Sequence, residues 1–129
     1  MPIRRTSLPK LSVVLQSTRF WQALLLVLLV VVAWLALTPK PPPNLTLGWD
    51  KLNHSGAFVG LAFCAWLGQG AHARRRALAL VALLAYGGLI ELAQLFVPGR
   101  FGEWADLLAD AVGLVIGTAL AWGALRLSR

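Results

Sequence analysis

Residues 20–37, FWQALLLVLLVVVAWLAL, run for 18 positions without one charged side chain. An α-helix needs about 17–25 such residues to cross the hydrocarbon core of a bilayer. In lipid, only a helix or a closed barrel satisfies its own backbone hydrogen bonds. The run therefore commits the chain to a membrane and this segment to a helix. Thr38-Pro39-Lys40-Pro41-Pro42-Pro43 follows at once. Those prolines end the helix and send the chain onward in an extended path. Arg4, Arg5, Lys10 and Arg19 precede the run, an arrangement that resembles a secretory leader. No small-x-small cleavage site follows, and the apolar stretch is longer than a leader core, so the segment reads as a retained span.

Three more apolar stretches follow, over about 50–67, 77–96 and 106–125. Together they predict an all-α integral membrane protein, a four-helix transmembrane bundle. The organisation expected is a basic N-terminal segment (1–19), one transmembrane domain (20–126) and a short tail (127–129). Gly68, Gly70 and the basic run 72–76 form the second turn, and the Pro/Gly stretch 97–102 forms the third. Composition agrees. Only 13% of residues are charged and 58% are hydrophobic, where a soluble domain carries about 25% charge. The net charge of +7 sits in short flanks around apolar runs. That placement suits a membrane surface and excludes a nucleic-acid face. The one cysteine, Cys64, lies in an apolar stretch and reads as a small buried hydrophobe.

Four spans place the N-terminus, the 68–76 turn and the C-terminus on one side. That side holds Arg4, Arg5, Lys10, Arg19, Arg74, Arg75, Arg76, Arg126 and Arg129, against Lys40, Lys51 and Arg100 on the other. Positive residues favour the cytoplasm, so both termini are expected there. Trp21, Trp66 and Trp122 fall near one set of helix ends and Trp34, Trp49 and Trp104 near the other, as two aromatic belts do.

All five acidic residues, Asp50, Glu91, Glu103, Asp106 and Asp110, fall on or near the extracytoplasmic ends of spans two to four. His54 joins them. At about 1.5 Å per residue, His54 and Asp110 lie roughly 6 Å inside their helix starts and Glu91 roughly 8 Å inside its helix end. Asp50 and His54 share a helix face at i,i+4, as do Asp106 and Asp110. Glu91 and Gln94 are i,i+3 neighbours. A charge facing lipid at that depth is costly, so these faces are expected to point inward, with Lys51 and Arg100 as their cations. The expected binding residues are Asp50, Lys51, His54, Glu91, Gln94, Arg100, Asp106 and Asp110. His54 and Glu91 are the acid–base candidates. The competing reading is an ion-paired plug that fixes helix packing. His54, Glu91, Asp50 and Asp110 are suitable zinc or manganese ligands, but one histidine and no ligand motif leave no metal or other cofactor expected. Ala109, Gly113, Gly117 and Ala121 form a small-residue stripe, which serves either packing within the chain or a homodimer through the Gly113/Gly117 face.

Three blocks carry a resemblance. Asp50-Lys51-Leu52-Asn53-His54-Ser55-Gly56-Ala57-Phe58 resembles the D-K-x-x-H-x-x-x-F opening of the VanZ-like family of bacterial membrane proteins. The segment 91–100 resembles its E-x-x-Q-x-F-x-P-x-R block through Glu91, Gln94, Phe96, Pro98 and Arg100. The segment 106–117 resembles its D-x-x-x-N-x-x-G-x-x-x-G block through Asp106, Gly113 and Gly117, with Asp110 where the family commonly has Asn. The resemblance covers about residues 50–120. It implies a multi-pass protein of the bacterial cytoplasmic membrane. The founding member is associated with low-level teicoplanin resistance, obtained without rewriting the wall precursor. The leading expectation is a non-enzymatic pocket that binds or shields a lipid-linked envelope precursor or a lipoglycopeptide, with Lys51 and Arg100 meeting its phosphate or carboxylate. The alternatives are an intramembrane enzyme on a lipid-linked substrate and a proton-coupled transporter.

Overall fold

The computed structural model describes residues 9–39 and 50–129. Within them lie α1 (Pro9–Gln16), α2 (Thr18–Leu37), α3 (Asp50–Gly68), α4 (Ala73–Gln94) and α5 (Trp104–Leu127). Arg4, Arg5, Lys40, Trp49 and the proline run 41–43 lie outside the described residues.

The protein is an all-helical membrane protein. α2, α4 and α5 are each long and apolar enough to cross a bilayer. α3 has the length, at 19 residues, but begins Asp-Lys-Leu-Asn-His-Ser. Its position accounts for that composition. α3 packs against α2, α4 and α5, and it buries Phe58, Leu61, Ala62, Cys64, Ala65, Leu67 and Gly68. A helix enclosed by protein needs little lipid-facing surface.

Contacts fix the helix directions. Gln22 of α2 donates to the Gly68 carbonyl of α3 (2.8 Å), so the start of one meets the end of the other. Tyr86 and Gln94 of α4 donate to the carbonyls of Leu29 and Ala36, so α4 runs parallel to α2. A Cβ at Gly113 or Gly117 would run into the carbonyl oxygens of Ser55 or Val59, so α5 runs parallel to α3. The order is up, down, up, down. Phe58, Leu61, Ala62, Ala65, Leu83 and Leu114 form the main core, with Leu15, Leu67 and Ala121 as a second cluster at one end.

The small-residue face of α5 packs against α3, and Gly113, Gly117 and Ala121 are buried there, which is packing within the chain. The basic stretch 74–76 is not a turn but the first turn of α4, since arginine is a good helix former and only 69–72 are needed to reverse the chain. Gly70 takes the left-handed conformation there, at φ 59°. The basic N-terminal segment also contains α1, whose Leu15 packs on Leu67 and Ala121.

Two arginines at the basic end stack on tryptophans: Arg76 over Trp66 and Arg126 over Trp122, each 4.5 Å from the ring centroid. Arg19, Arg74, Arg75 and Arg129 share that end, while Lys51 and Arg100 lie at the other.

Candidate functional site

The polar end is assembled from α3, the C-terminal part of α4 and the N-terminal part of α5. Among the described residues, the buried charged and amide side chains are Glu91, Gln94, Asp106 and Asp110, all at this end. α5 contributes the buried i,i+4 pair Asp106 and Asp110, α4 the buried i,i+3 pair Glu91 and Gln94, and α3 contributes His54, one turn after the exposed Asp50.

His54 is the hub. Its Nδ1 lies 3.1 Å from Asp110 Oδ1 and 3.6 Å from Glu91 Oε1. Its Nε2 lies 3.9 Å from Asp106 Oδ2 and 4.0 Å from Asp50 Oδ2. Asp110 is wholly buried, whereas Asp50 is exposed. Gly87 makes room for Asp110. A Cβ there would collide with Asp110 Oδ2 and stand 3.0 Å from Phe58.

Lys51 bridges Glu103 Oε2 (3.0 Å) and Asp106 Oδ1 (3.3 Å). Glu103 is a site residue that spacing alone left out of the expected binding set. It precedes α5 as its N-cap residue, and its backbone N–H donates to Glu91 Oε2 at 2.9 Å. It thus ties α4 to the start of α5. Asp106, in the first turn of α5, also gains from the positive end of the helix dipole.

Gln94 and Arg100 stand apart from the carboxylates. Arg100 is expected to serve as a cation for them. Instead its Nη2 donates to the Leu35 carbonyl (2.8 Å) and its Nε to the Thr38 carbonyl (3.0 Å). Gln94 Nε2 donates to the Ala36 carbonyl (3.1 Å). The last four carbonyls of a helix lack intrahelical partners, and in lipid water does not replace them. The end of α2 therefore draws the nearest strong donors.

Residues 8–126 match the VanZ/LLP1 family. The chain belongs to that family. No curated protein and no solved structure matches it. In this VanZ/LLP1 protein the three sequence blocks divide the work. Asp50, Lys51 and His54 come from the first, Glu91, Gln94 and Arg100 from the second, and Asp106 and Asp110 from the third. The second block serves two ends: Glu91 joins the histidine hub, while Gln94 and Arg100 close the end of α2.

A cavity of about 330 Å³ opens between α2, α3 and α4 beside this hub. Leu28, Val32, Leu35 and Phe58 supply apolar wall. Asp50, His54, Gln94 and Arg100 supply the polar end.

Proposed function

We propose that this VanZ-like protein is a multi-pass protein of the bacterial cytoplasmic membrane, with α3 as a fourth span and both termini in the cytoplasm. Its extracytoplasmic pocket binds or shields the head of a lipid-linked envelope precursor or a lipoglycopeptide, and so contributes to teicoplanin-type tolerance. The observation that supports this most directly is the cavity between α2, α3 and α4. It pairs an apolar wall with a polar end, and its volume lies near the lower bound of small-molecule sites. An amphiphile with a chain and a polar head fits that division. The Lys/Arg distribution supports an orientation in which the pocket faces away from the cytoplasm.

Val31 lines the cavity from α2 and is 41% exposed, so the helix core does not depend on it. Val31→Trp is expected to fill the cavity. Teicoplanin tolerance conferred by expression should fall, and lipids carried through purification should disappear from native mass spectra, at an unchanged melting temperature. Unchanged tolerance and lipid retention at equal expression would remove the cavity from the mechanism.

One observation favours a second reading. His54 lines the cavity and also contacts Asp110 at 3.1 Å, the arrangement of an acid–base pair. An enzyme built on it would turn over a polyprenyl phosphate or a phospholipid, and His54→Ala would abolish that turnover. Proton transport fits less well. Among the described residues, the buried core toward the basic end is Leu61, Ala62, Cys64, Ala65, Leu67, Leu83, Leu114 and Ala121, which offers a lone thiol and no chain of acidic or basic side chains.

A further inference from the structure

Charge balance at the polar end is uneven. Glu91, Asp106 and Asp110 are all at least nine-tenths buried. Lys51 is shared between Asp106 and the exposed Glu103, and Arg100 is engaged by α2. The two sides of the His54 ring then differ in kind. On the Nδ1 side, Asp110 Oδ1 and Glu91 Oε1 lie 3.1 and 3.6 Å away. The ligand atoms of His54, Glu91 and Asp110 all lie within 4.8 Å of one another. Glu91 Oε2 is held by the Glu103 amide, which leaves Oε1 facing the ring, buried and without a hydrogen-bond partner among the described residues. On the Nε2 side, Asp106 Oδ2 is likewise buried and unpartnered, 3.9 Å from the ring nitrogen.

Ligand atoms 2.0–2.2 Å from one ion stand roughly 3.4 Å apart at a tetrahedral centre. The two separations on the Nδ1 side bracket that value. Metal-bound histidines characteristically give their other N–H to a carboxylate, which fixes the tautomer and the ring plane. Two carboxylates face Nε2, the exposed Asp50 at 4.0 Å and the buried Asp106 at 3.9 Å, and the buried one would close to hydrogen-bond distance to fill that role.

We propose that His54 Nδ1, Glu91 and Asp110 bind a first-row divalent metal ion, Mn²⁺ or Zn²⁺, with Asp106 as the positioning residue behind the imidazole. Two carboxylates balance the charge of the ion. Mixed imidazole and carboxylate donors suit these two metals. The three ligands come from three helices, so no short motif announces them. Of the three ligands, His54 also borders the cavity.

The test uses full-length protein purified in detergent, stripped with a chelator, loaded with MnCl₂ or ZnCl₂ and desalted. Elemental analysis should find about one ion per chain, and bound Mn²⁺ should show ¹⁴N coupling from one imidazole in pulsed EPR. His54→Ala and Asp110→Asn should each weaken binding by about 100-fold or more, and Asp106→Asn by about 10–100-fold. His72→Ala, at the opposite end of the chain's fold, should leave binding unchanged. Retention below about 0.1 ion by the wild type overturns the proposal. So does binding that persists in His54→Ala, or bound Mn²⁺ without ¹⁴N coupling. The coupling is measured on wild-type protein, so a misfolded variant does not blunt the test. Every reading is made without lipid or drug, so failure here leaves the pocket reading standing.

Discussion

Gly117→Leu is expected to abolish the assembled bundle, and Gly117→Ala to lower its stability by about 1–3 kcal/mol. A Cβ at this position would strike the Val59 carbonyl oxygen and approach Ala62 Cβ to 2.9 Å. At Gly113 the same atom would strike the Ser55 carbonyl and come within 2.9 Å of Phe58 Cβ. These are mainly backbone and Cβ atoms of α3, so no side-chain rotation relieves them. The only response is separation of α5 from α3. Close approach of small-residue faces is a main source of helix association in lipid, where hydrophobic exclusion between helices is absent. Separation also draws Asp110 away from His54, so structural and functional losses should coincide. Thermal unfolding in detergent, followed by size-exclusion profile, reads the effect. Gly88→Ala and Gly123→Ala are the controls, since nothing lies within 4 Å of a Cβ at either position. A Gly117→Leu protein that is monodisperse and melts like the wild type would disprove the close-packing role.

Hydropathy carries most of the helix pattern, because lipid imposes length and apolarity directly on sequence. The uncharged run 20–37 lies inside α2, and the stretches 50–67 and 106–125 lie inside α3 and α5. Arg74–Arg76 look like a turn by charge alone, yet arginine propagates a helix while its side chain reaches the interface. α1 is hard to see in sequence for another reason: eight residues between basic positions carry too weak a pattern to stand out. The juxtaposition of His54, Glu91, Asp106 and Asp110 was legible, since i,i+4 pairs at matched depth on antiparallel and parallel helices have few other ways to avoid lipid. Partner choice was not. Charge suggested that Arg100 would seek a carboxylate. The carbonyls at the end of α2 outcompeted that pairing, and nothing local to residue 100 reveals where α2 ends in space. Glu103 escaped for a similar reason: its backbone amide, not its side chain, makes the contact with Glu91.

Arg100→Ala is expected to release the C-terminal end of α2 and to remove any tolerance the protein confers. α2 contains no buried residue. Leu25, Leu28, Leu29 and Val32 are partly buried where they pack against the core, and Tyr86, Gln94 and Arg100 donate hydrogen bonds to carbonyls of α2 and its C-cap. Arg100 makes two of these bonds, to Leu35 and Thr38. Interhelical hydrogen bonds in membrane proteins average about 0.6 kcal/mol and reach about 1.7 kcal/mol. A charged donor belongs at the upper end, so the pair contributes about 2–3 kcal/mol. Arg100→Lys should rescue little, because one ammonium on a flexible stem does not reproduce two donors held in a planar fork. The wall of the cavity on α2 moves with that helix end, so the loss of function follows from geometry without any contact between Arg100 and a ligand. Disulfide trapping separates the two roles. With Cys64 replaced by Ala, a cysteine pair joining the 35–38 end of α2 to the 94–98 segment should form readily in the Arg100 protein and slowly in Arg100→Ala. If the pair forms equally fast in both while tolerance is still lost, Arg100 acts on the ligand rather than on α2.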